Sequence, residues 1–440
     1  MDDASDSSLD QLCAELQERL DQACRRARIE EACIGVSNDA VEWRAFVRPS
    51  SCRAKPFCID VGCLAKVLTA TLISQLVCRG RLVLEDTVAH LLPLRRNMDR
   101  RVFRQITIGQ LLNHTHGLDG TSVRKIPLLM TGYVDTDTLC NRLCSVPRIA
   151  RPGALYNYGT AGAYMAAAIL EHMYGRLYED VLIEHLLQPI GAMLRYGESA
   201  ALLHAQEIPQ LCPASGGRMA LSLDELMAFV RSNFGDERAG ENALQRAPSR
   251  FMFESIVPLS GWNPLEHGVA IGWKHYGPGW FGHHANVLDC SVLVRLHLRR
   301  RLAVIVAVRG LKGEAAFQVF ATLFGDVLRE LVPTCVPALL TPQEWSALDA
   351  DQFTGTYENS GSSVTIERRG GSLEMAASYL HSGKVAPMVS LLMPAQRGIF
   401  LTGSAVRELF PLLQFICQSD GRFQYIWNGS NVWGLKKSAS

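Results

Sequence analysis

Hydrophobic residues in the first sixty positions follow first a helical and then a strand-like spacing. Leucines, with charged residues on the other faces, recur at Leu9, Leu12, Leu16 and Leu20. This spacing predicts an amphipathic helix that packs on a sheet, with a partner-binding helix as the alternative. Short strands are expected after it, at residues 32–36, 43–47 and 59–61.

An apolar segment, LAKVLTATLISQLV, occupies residues 64–77. It is compatible with a buried helix that ends at Gly80, and Lys66 is its one charged residue. Helical segments and turns alternate through about residues 70–260. β-Branched residues then favour strands at residues 269–273, 291–297 and 302–308. Strands therefore come from both ends of this region and helices from its middle, which predicts an α+β fold.

The last hundred residues have a different pattern. Short strand candidates separated by glycine, serine and proline lie at residues 353–359, 363–368, 373–377, 399–402 and 423–427. This pattern predicts an independent antiparallel barrel or sandwich. We therefore divide the chain into a first domain at residues 1–340 and a second domain at residues 341–440.

Composition excludes several classes of function. The formal charge of +1 leaves no broad basic surface, so nucleic acid is not an expected partner. We expect no membrane partner and a cytoplasmic location, because the chain has no long apolar run and no signal-like N-terminal segment. The thirteen cysteines include no C-x-x-C pair, so a disulfide framework, a structural zinc site or another cofactor is not expected.

One short motif joins a thiol and an amine where the apolar helix begins. Cys63 and Lys66 are three residues apart, so on a helix they share a face. The helix N-terminus and the ammonium both favour the thiolate, which predicts a lowered pKa for Cys63. Alternatively, Cys63 is a small buried side chain and Lys66 extends to the surface.

The segment from Cys63 to Thr71 resembles the S-x-x-K signature of the serine β-lactamases and penicillin-binding proteins, with cysteine at the serine position. Residues 80–86, 106–118 and 214–226 are similar to stretches of the class C β-lactamase, D-alanyl-D-alanine carboxypeptidase and esterase branch. Over residues 30–335 this resemblance implies an antiparallel sheet flanked by helices, plus a helical region. Residues 353–357 and 371–373 resemble the lipocalin-like barrel often appended to this branch.

The second motif of that family is Y-x-N, after a Pro-Gly turn. Here Pro152 and Gly153 precede Tyr158-Gly159-Thr160, so the tyrosine is kept and threonine replaces asparagine. The resemblance implies that Tyr158 exchanges protons with Lys66 as a general base, and that Thr160 contacts substrate. The alternative is a tyrosine that only packs.

The third motif of the family is K-T-G or H-x-G, and its place is taken by His283-His284-Ala285. The resemblance implies that His283 contacts the substrate or leaving group and that His284 and Ala285 line the substrate site. It also implies an oxyanion hole formed by the backbone N–H groups of Cys63 and Asn286.

Histidines near these motifs raise the question of a metal site. Adjacent strand residues point to opposite faces, so His283 and His284 are poorly placed to share an ion with Asp289. We therefore expect no metal. His114 and His116 lie in a segment that the family places beside the active site, and we interpret them as structural or pocket-lining, with His116 assigned to substrate binding.

Cysteine at the nucleophile position implies a thioester intermediate, which reacts readily with amines and thiols. We therefore interpret the chain as a cysteine-dependent acyl-enzyme catalyst, either a hydrolase or an acyltransferase or cyclase. Its partner would be a small-molecule acyl substrate: an ester, an amide or an acyl thioester, including a carrier-bound thioester. The alternative is a protein of the same fold without acyl-enzyme chemistry, which binds a ligand or catalyses noncovalently.

Overall fold

The computed structural model describes residues 3–49, 57–92, 103–119, 144–196, 214, 219–235, 248–287, 290–310, 315–331, 338–379, 388–402, 412–417, 423–428 and 432–436. Asp289 and segment 215–218, both singled out above, lie outside these residues. The proposed boundary after residue 340 stays a prediction.

The strands of the first part form two antiparallel sheets. In chain order they are β1 (Glu31–Ser37), β2 (Glu42–Val47), β3 (Cys58–Asp60), β4 (Arg195–Tyr196), β5 (Met219–Ser222), β6 (Val257–Pro258), β7 (Gly268–Val269), β8 (Lys274–His275), β9 (Trp280–Val287), β10 (Cys290–His297) and β11 (Leu302–Arg309). The main sheet has eight strands in the order β2-β1-β11-β10-β9-β8-β7-β6, and the small sheet has the order β3-β5-β4.

The predicted strands are largely confirmed, at residues 32–36, 43–47, 59–61, 291–297 and 302–308. The strand expected at 269–273 is wrong, because β7 ends at Val269. A tight turn follows, in which Ala270 N–H donates to the Trp273 carbonyl at 2.7 Å and Gly272 has a φ of 77°. Glycine is the residue that adopts this left-handed conformation without strain.

Nine helices of the described residues belong to the first part of the chain, and a tenth packs on the barrel through Trp345. They are α1 (Asp3–Ala27), α2 (Ala65–Cys78), α3 (Val88–Leu91), α4 (Ile108–Leu112), α5 (Ala161–Tyr174), α6 (Tyr178–Leu182), α7 (Leu223–Ser232), α8 (Pro248–Glu254), α9 (Ala315–Phe324) and α10 (Pro342–Ser346). Helix α2 confirms the predicted apolar helix and is buried on nearly all sides. None of the helices in the described ranges is long and apolar enough to span a lipid bilayer.

The two faces of the main sheet bury different cores. On one face Leu16 and Leu20 of α1 pack with Val306 of β11 and with α9. Both leucines are fully buried, so the described part of α1 is a packing helix, as predicted. On the other face alternate strand residues, such as Ile305, pack with α2, α5 and α7. The candidate site residues lie on this second face.

The C-terminal part is a closed eight-stranded antiparallel barrel, which confirms the barrel over the sandwich. Its strands are β12 (Gly355–Glu358), β13 (Ser362–Arg369), β14 (Ser372–Tyr379), β15 (Met388–Pro394), β16 (Ile399–Thr402), β17 (Leu412–Cys417), β18 (Phe423–Trp427) and β19 (Val432–Leu435). Aromatic rings such as Phe353, Phe400 and Phe415 fill its interior. The sequence patterns missed β15, β17 and β19.

The barrel docks on the first part through apolar packing and buried hydrogen bonds. Trp427 is fully buried and packs so closely on Gly261 that a Cβ there would lie 2.6 Å from the indole. The Val432 N–H donates to Asn157 Oδ1 at 3.2 Å, and the Ser360 N–H donates to Asp119 Oδ2 at 2.5 Å. The barrel therefore contacts the segment that carries Tyr158 directly.

Candidate active site

Cys63 lies in a single 3₁₀ turn, Gly62–Leu64, that leads into α2. Gly62 has a φ of 49°, and a Cβ there would lie 2.3 Å from Val287 Cγ2 and 2.9 Å from Ala285 Cβ. Only glycine fits this left-handed position so close to β9. The turn thus holds the Cys63 thiol, which is partly exposed, against the end of β9.

Lys66 follows in the first turn of α2, and its side chain is only 6% exposed. Its Nζ lies 5.2 Å from the centroid of the Tyr158 ring. The ammonium is therefore buried beside the phenol and does not extend to the surface, which removes the alternative interpretation of this lysine.

The Cys63 thiol experiences opposing influences. Burial raises its pKa, but the Lys66 charge, hydrogen bonds from Tyr158 and Lys66, and the Lys274 charge outweigh burial and hold the pKa below its ordinary value. Cys24, Cys33 and Cys78 show the contrast, because burial raises the pKa of each. Cys63 therefore has the electrostatic surroundings of a reactive thiol.

Tyr158 is partly exposed, but its hydroxyl oxygen is buried. Burial first, and then the charge on Cys63, raise the pKa of this phenol well above its ordinary value, so it stays protonated while the thiol ionises. No hydrogen bond of good geometry reaches the hydroxyl from the described residues, so the contact between its oxygen and the Cys63 sulfur is either long or strongly bent. Catalytic hydrogen bonds commonly tighten only when a ligand binds.

His283 lies on β9 with its ring centroid 6.1 Å from that of Tyr158. Its Nδ1 lies 2.8 Å from the carbonyl oxygen of His284, which only accepts, so Nδ1 carries the proton and Nε2 is an acceptor. Burial and the charges of Lys274 and Lys66 lower the pKa of His283 well below its ordinary value. The ring is therefore neutral at physiological pH.

The other predicted residues of β9 occupy distinct positions. Ala285 is buried against the Gly62 turn, on the side chain face that it shares with His283. His284 is partly exposed, and Lys274 lowers its pKa well below the ordinary value. Asn286 is exposed, and its Oδ1 accepts a hydrogen bond from Ser291 Oγ at 2.7 Å.

Residues before α5 complete the neighbourhood. Thr160 is partly buried at the start of α5, two residues beyond Tyr158. His116 is fully buried, and its Nδ1 accepts the Leu118 N–H at 3.1 Å. Burial lowers the pKa of His116 to about 4. Its ring therefore supports this loop in the structure. The substrate-binding role that the sequence suggested for His116 stays a prediction.

Three residues near Tyr158 were missed as site residues or interpreted only generally. Lys274 Nζ lies 5.8 Å from the Tyr158 ring centroid and 2.6 Å from Glu266 Oε1. His114 has a φ of 60°, and its ring centroid lies 4.5 Å from that of Tyr158, with the two rings tilted by 49°. A lysine inside the apolar segment GVAIGWKHYG is the same kind of signal that identified Lys66. Glu266 had no comparable local signal.

The described residues hold no group of three His, Cys, Asp or Glu side chains that could bind a metal ion. The site brings together a thiol whose pKa is lowered, two lysine side chains, a protonated phenol and a neutral imidazole.

Comparison with known proteins identifies the family of the chain and proteins that resemble it. The family model described as Beta-lactamase matches residues 58–323. Penicillin-binding protein 4 of Amycolatopsis lactamdurans is 28% identical over 329 residues, which are 68% of this chain and 84% of that protein.

Solved structures share the fold. That of SurE with D-Leu has a TM-score of 0.72 at 20% identity and covers 97% of this chain and 100% of SurE. A D-stereospecific amidohydrolase from Streptomyces sp. has a TM-score of 0.54 at 21% identity and covers 70% of this chain and 99% of the amidohydrolase. The expected fold, β-lactamase/transpeptidase-like with a C-terminal barrel, is confirmed. Because the family model spans more than half of its length, the chain belongs to the β-lactamase family of hydrolases and acyl-transfer enzymes.

Proposed function

We propose that the protein is an acyl-enzyme catalyst in which Cys63 is the nucleophile. The observation that carries this proposal is a partly exposed thiol, at the start of a buried helix, whose pKa is lowered by Lys66 and Tyr158. A thiolate is already a strong nucleophile near neutral pH, so the site needs no strong base to activate it.

In the first step the Cys63 sulfur attacks the carbonyl carbon of an ester, amide or thioester. A carbon–sulfur bond forms, and the negative charge moves to the carbonyl oxygen, where the N–H groups of Cys63 and Asn286 would stabilise it. The bond to the leaving group then breaks. The leaving group takes the proton of the Tyr158 hydroxyl, and the Lys66 ammonium restores that proton.

In the second step an amine or water attacks the thioester. The Nε2 of His283 is an acceptor beside the site, and its neutral ring can take the proton of the incoming nucleophile. His283 then passes this proton through the Tyr158 hydroxyl to the Lys66 amine, which regains the positive charge that it gave up in the first step. The sulfur leaves as the thiolate that the surrounding charges favour, and the products are an amide or an acid. Amines react readily with thioesters, so we place acyl transfer or cyclisation ahead of hydrolysis.

The acyl group that we propose ends in a D-aminoacyl carbonyl, delivered as a thioester. SurE carries D-Leu in its structure, and the Streptomyces amidohydrolase is D-stereospecific. We extend these properties to this chain as part of the proposal. A thioester donor is chemically matched to Cys63, because exchange between two thioesters changes the free energy little.

The competing hypothesis is a protein of this fold that only binds its ligand. A site that had lost its chemistry would have no reason to keep two buried ammonium groups around Tyr158, because buried charges are costly. This observation favours the catalyst.

A labelling experiment tests the proposal. The protein is mixed with an N-acyl-D-leucyl thioester of N-acetylcysteamine, and the adduct is mapped by mass spectrometry. We expect one acyl group on Cys63, released by added amine, and no stable adduct in Cys63→Ala. Cys78→Ala is the matched control. Cys78 is an exposed residue that reagents can reach, but partial burial raises the pKa of its thiol above the ordinary value. Turnover that survives in Cys63→Ala, or acylation spread over the other thiols, would contradict the proposal.

A further inference from the structure

A buried ion pair joins Lys274 of β8 to Glu266, which lies two residues before β7. Lys274 Nζ is 2.6 Å from Glu266 Oε1, and both side chains are more than nine-tenths buried. The second carboxylate oxygen, Oε2, is also buried and has no hydrogen-bond partner among the described residues.

Fold stability does not explain this pair. Removing two charges from water costs several kcal/mol per ion, and apolar residues of similar volume often stabilise a protein as well or better. Within the described part of the chain, the pair also leaves one carboxylate oxygen without a hydrogen bond, which adds a further cost. A costly pair that lies against a reactive site is more simply explained by the charge that it brings there.

The position of Lys274 shows where that charge acts. Lys274 pairs in register with Gly282 on β9, next to His283. Its Nζ is 5.8 Å from the Tyr158 ring centroid, and Lys66 Nζ is 5.2 Å from the same centroid. Two ammonium groups, from two different elements, therefore flank the phenol that contacts Cys63.

We propose that Lys274 is a positioning residue of the Cys63 site: its ammonium, oriented by Glu266, places a second positive charge beside the Tyr158 ring that favours the anionic form of the Cys63 sulfur and the neutral form of the His283 ring. This inference rests on the proposed role of Cys63 as the nucleophile. Glu266 serves to hold the ammonium at the Tyr158 ring.

The surroundings of both titrating groups agree with this role. The groups that act on the Cys63 thiol, or respond to its charge, come from α2, the Tyr158 segment and β8: Lys66, Tyr156, Tyr158 and Lys274. The charged or titratable groups around His283 are Lys66, His114, Tyr158, Lys274, His284 and Arg295. Lys274 is common to both sets, whereas Glu266 is not among the main influences on either group.

The experiment measures the rate of alkylation of Cys63 by iodoacetamide as a function of pH, with the modified peptide quantified by mass spectrometry. The midpoint of the profile, and not the rate, is compared, because a thiolate with a higher pKa is intrinsically more nucleophilic. The variants are Glu266→Gln and the double variant Lys274→Met/Glu266→Gln, which removes both charges together and leaves neither unpaired.

We expect the double variant to raise the Cys63 midpoint by about one pH unit, because a nearby opposite charge shifts a pKa by about this amount. Glu266→Gln keeps the ammonium and should not raise it. Lys436→Met, which breaks an exposed ion pair with Glu358 on the barrel, is the matched control and should leave the midpoint unchanged. Should this double variant not fold, Lys274→Gln/Glu266→Gln makes the same comparison, because it also removes both charges together.

The outcomes separate the two proposals. In one outcome, wild-type Cys63 titrates below an ordinary thiol and the double variant has the same midpoint as the wild type. This outcome overturns the role of Lys274 but not the role of Cys63 as the nucleophile. An equal rise in Glu266→Gln and in the double variant also overturns it, since that result indicates a packing role for the pair. A wild-type Cys63 midpoint at or above that of Cys78 would instead count against Cys63 as the nucleophile.

Discussion

Replacing Gly62 by alanine should damage both the stability of the protein and the reactivity of Cys63. Gly62 has a φ of 49°, and left-handed backbone costs a non-glycine residue roughly 1–2 kcal/mol. The new Cβ would lie 2.3 Å from Val287 Cγ2 and 2.9 Å from Ala285 Cβ, so β9 must move away from the turn. Overpacking of this kind adds about 1–3 kcal/mol.

Gly80→Ala isolates the conformational part of this cost. Gly80 follows α2 with a φ of 66°, and a Cβ there would meet no atom within 4 Å. We therefore expect Gly80→Ala to lower the free energy of unfolding by about 1–2 kcal/mol. Gly62→Ala should lower it by about 2–5 kcal/mol, the sum of the two costs.

Urea unfolding, followed by fluorescence, gives both free energies by linear extrapolation. Alkylation of Cys63 at fixed pH is then measured in the folded variants, and we expect it to be slowed in Gly62→Ala and unchanged in Gly80→Ala. Equal stability of the two variants, or wild-type alkylation in Gly62→Ala, would show that β9 does not constrain the turn as described.

Three further outcomes are expected. Asn157→Ala removes the side chain that bridges the Leu118 carbonyl and the Val432 N–H, and should cost about 2 kcal/mol in urea unfolding. This loss should exceed that of the control Asn38→Ala, a half-buried residue whose hydrogen bonds stay within one turn, and a smaller loss than in the control refutes the bridge. His283→Gln should slow transfer of the acyl group to an amine while leaving Cys63 acylation intact, and a stopped-flow measurement showing the reverse would assign His283 to the first step. The pKa of Cys63 in the folded protein lies below its ordinary value of 9.0. The free energy of unfolding of the wild type, relative to that of Cys63→Ala, should therefore increase with pH up to about 9.0 and then level off. A difference in free energy that does not depend on pH argues against a thiolate.

The elements that sequence patterns predicted well are those whose burial is decided locally. Helix α2 and strands β10 and β11 are nearly continuous apolar segments, so their type follows from composition alone. Strand β15 was missed because Met388, Val389 and Leu391 are exposed, which removes the alternation typical of a strand. The hydrogen bonds of β15 come from its neighbours β14 and β16 in the closed barrel, and this pairing cannot be predicted from a short segment of sequence.

The candidate site divides in the same way. Cys63 and Lys66 are one helical turn apart, so their proximity could be predicted from spacing. Lys274 and Glu266 meet only because a hairpin returns the chain after the Gly272 turn, and the left-handed His114 reaches Tyr158 through tertiary packing. Such contacts require coordinates, as does the complete burial of His116.

The hydrogen bond between Asn157 and Val432 joins positions 275 residues apart in the chain. Residue 158 therefore leaves the ribosome long before residue 432, and the tyrosine segment must wait for most of the remaining chain to be translated. At about 5–20 residues per second, that interval lasts on the order of 14–55 seconds. With Cys63 as the proposed nucleophile, the segment that carries its phenol partner gains this hydrogen bond only after β19 has been synthesised.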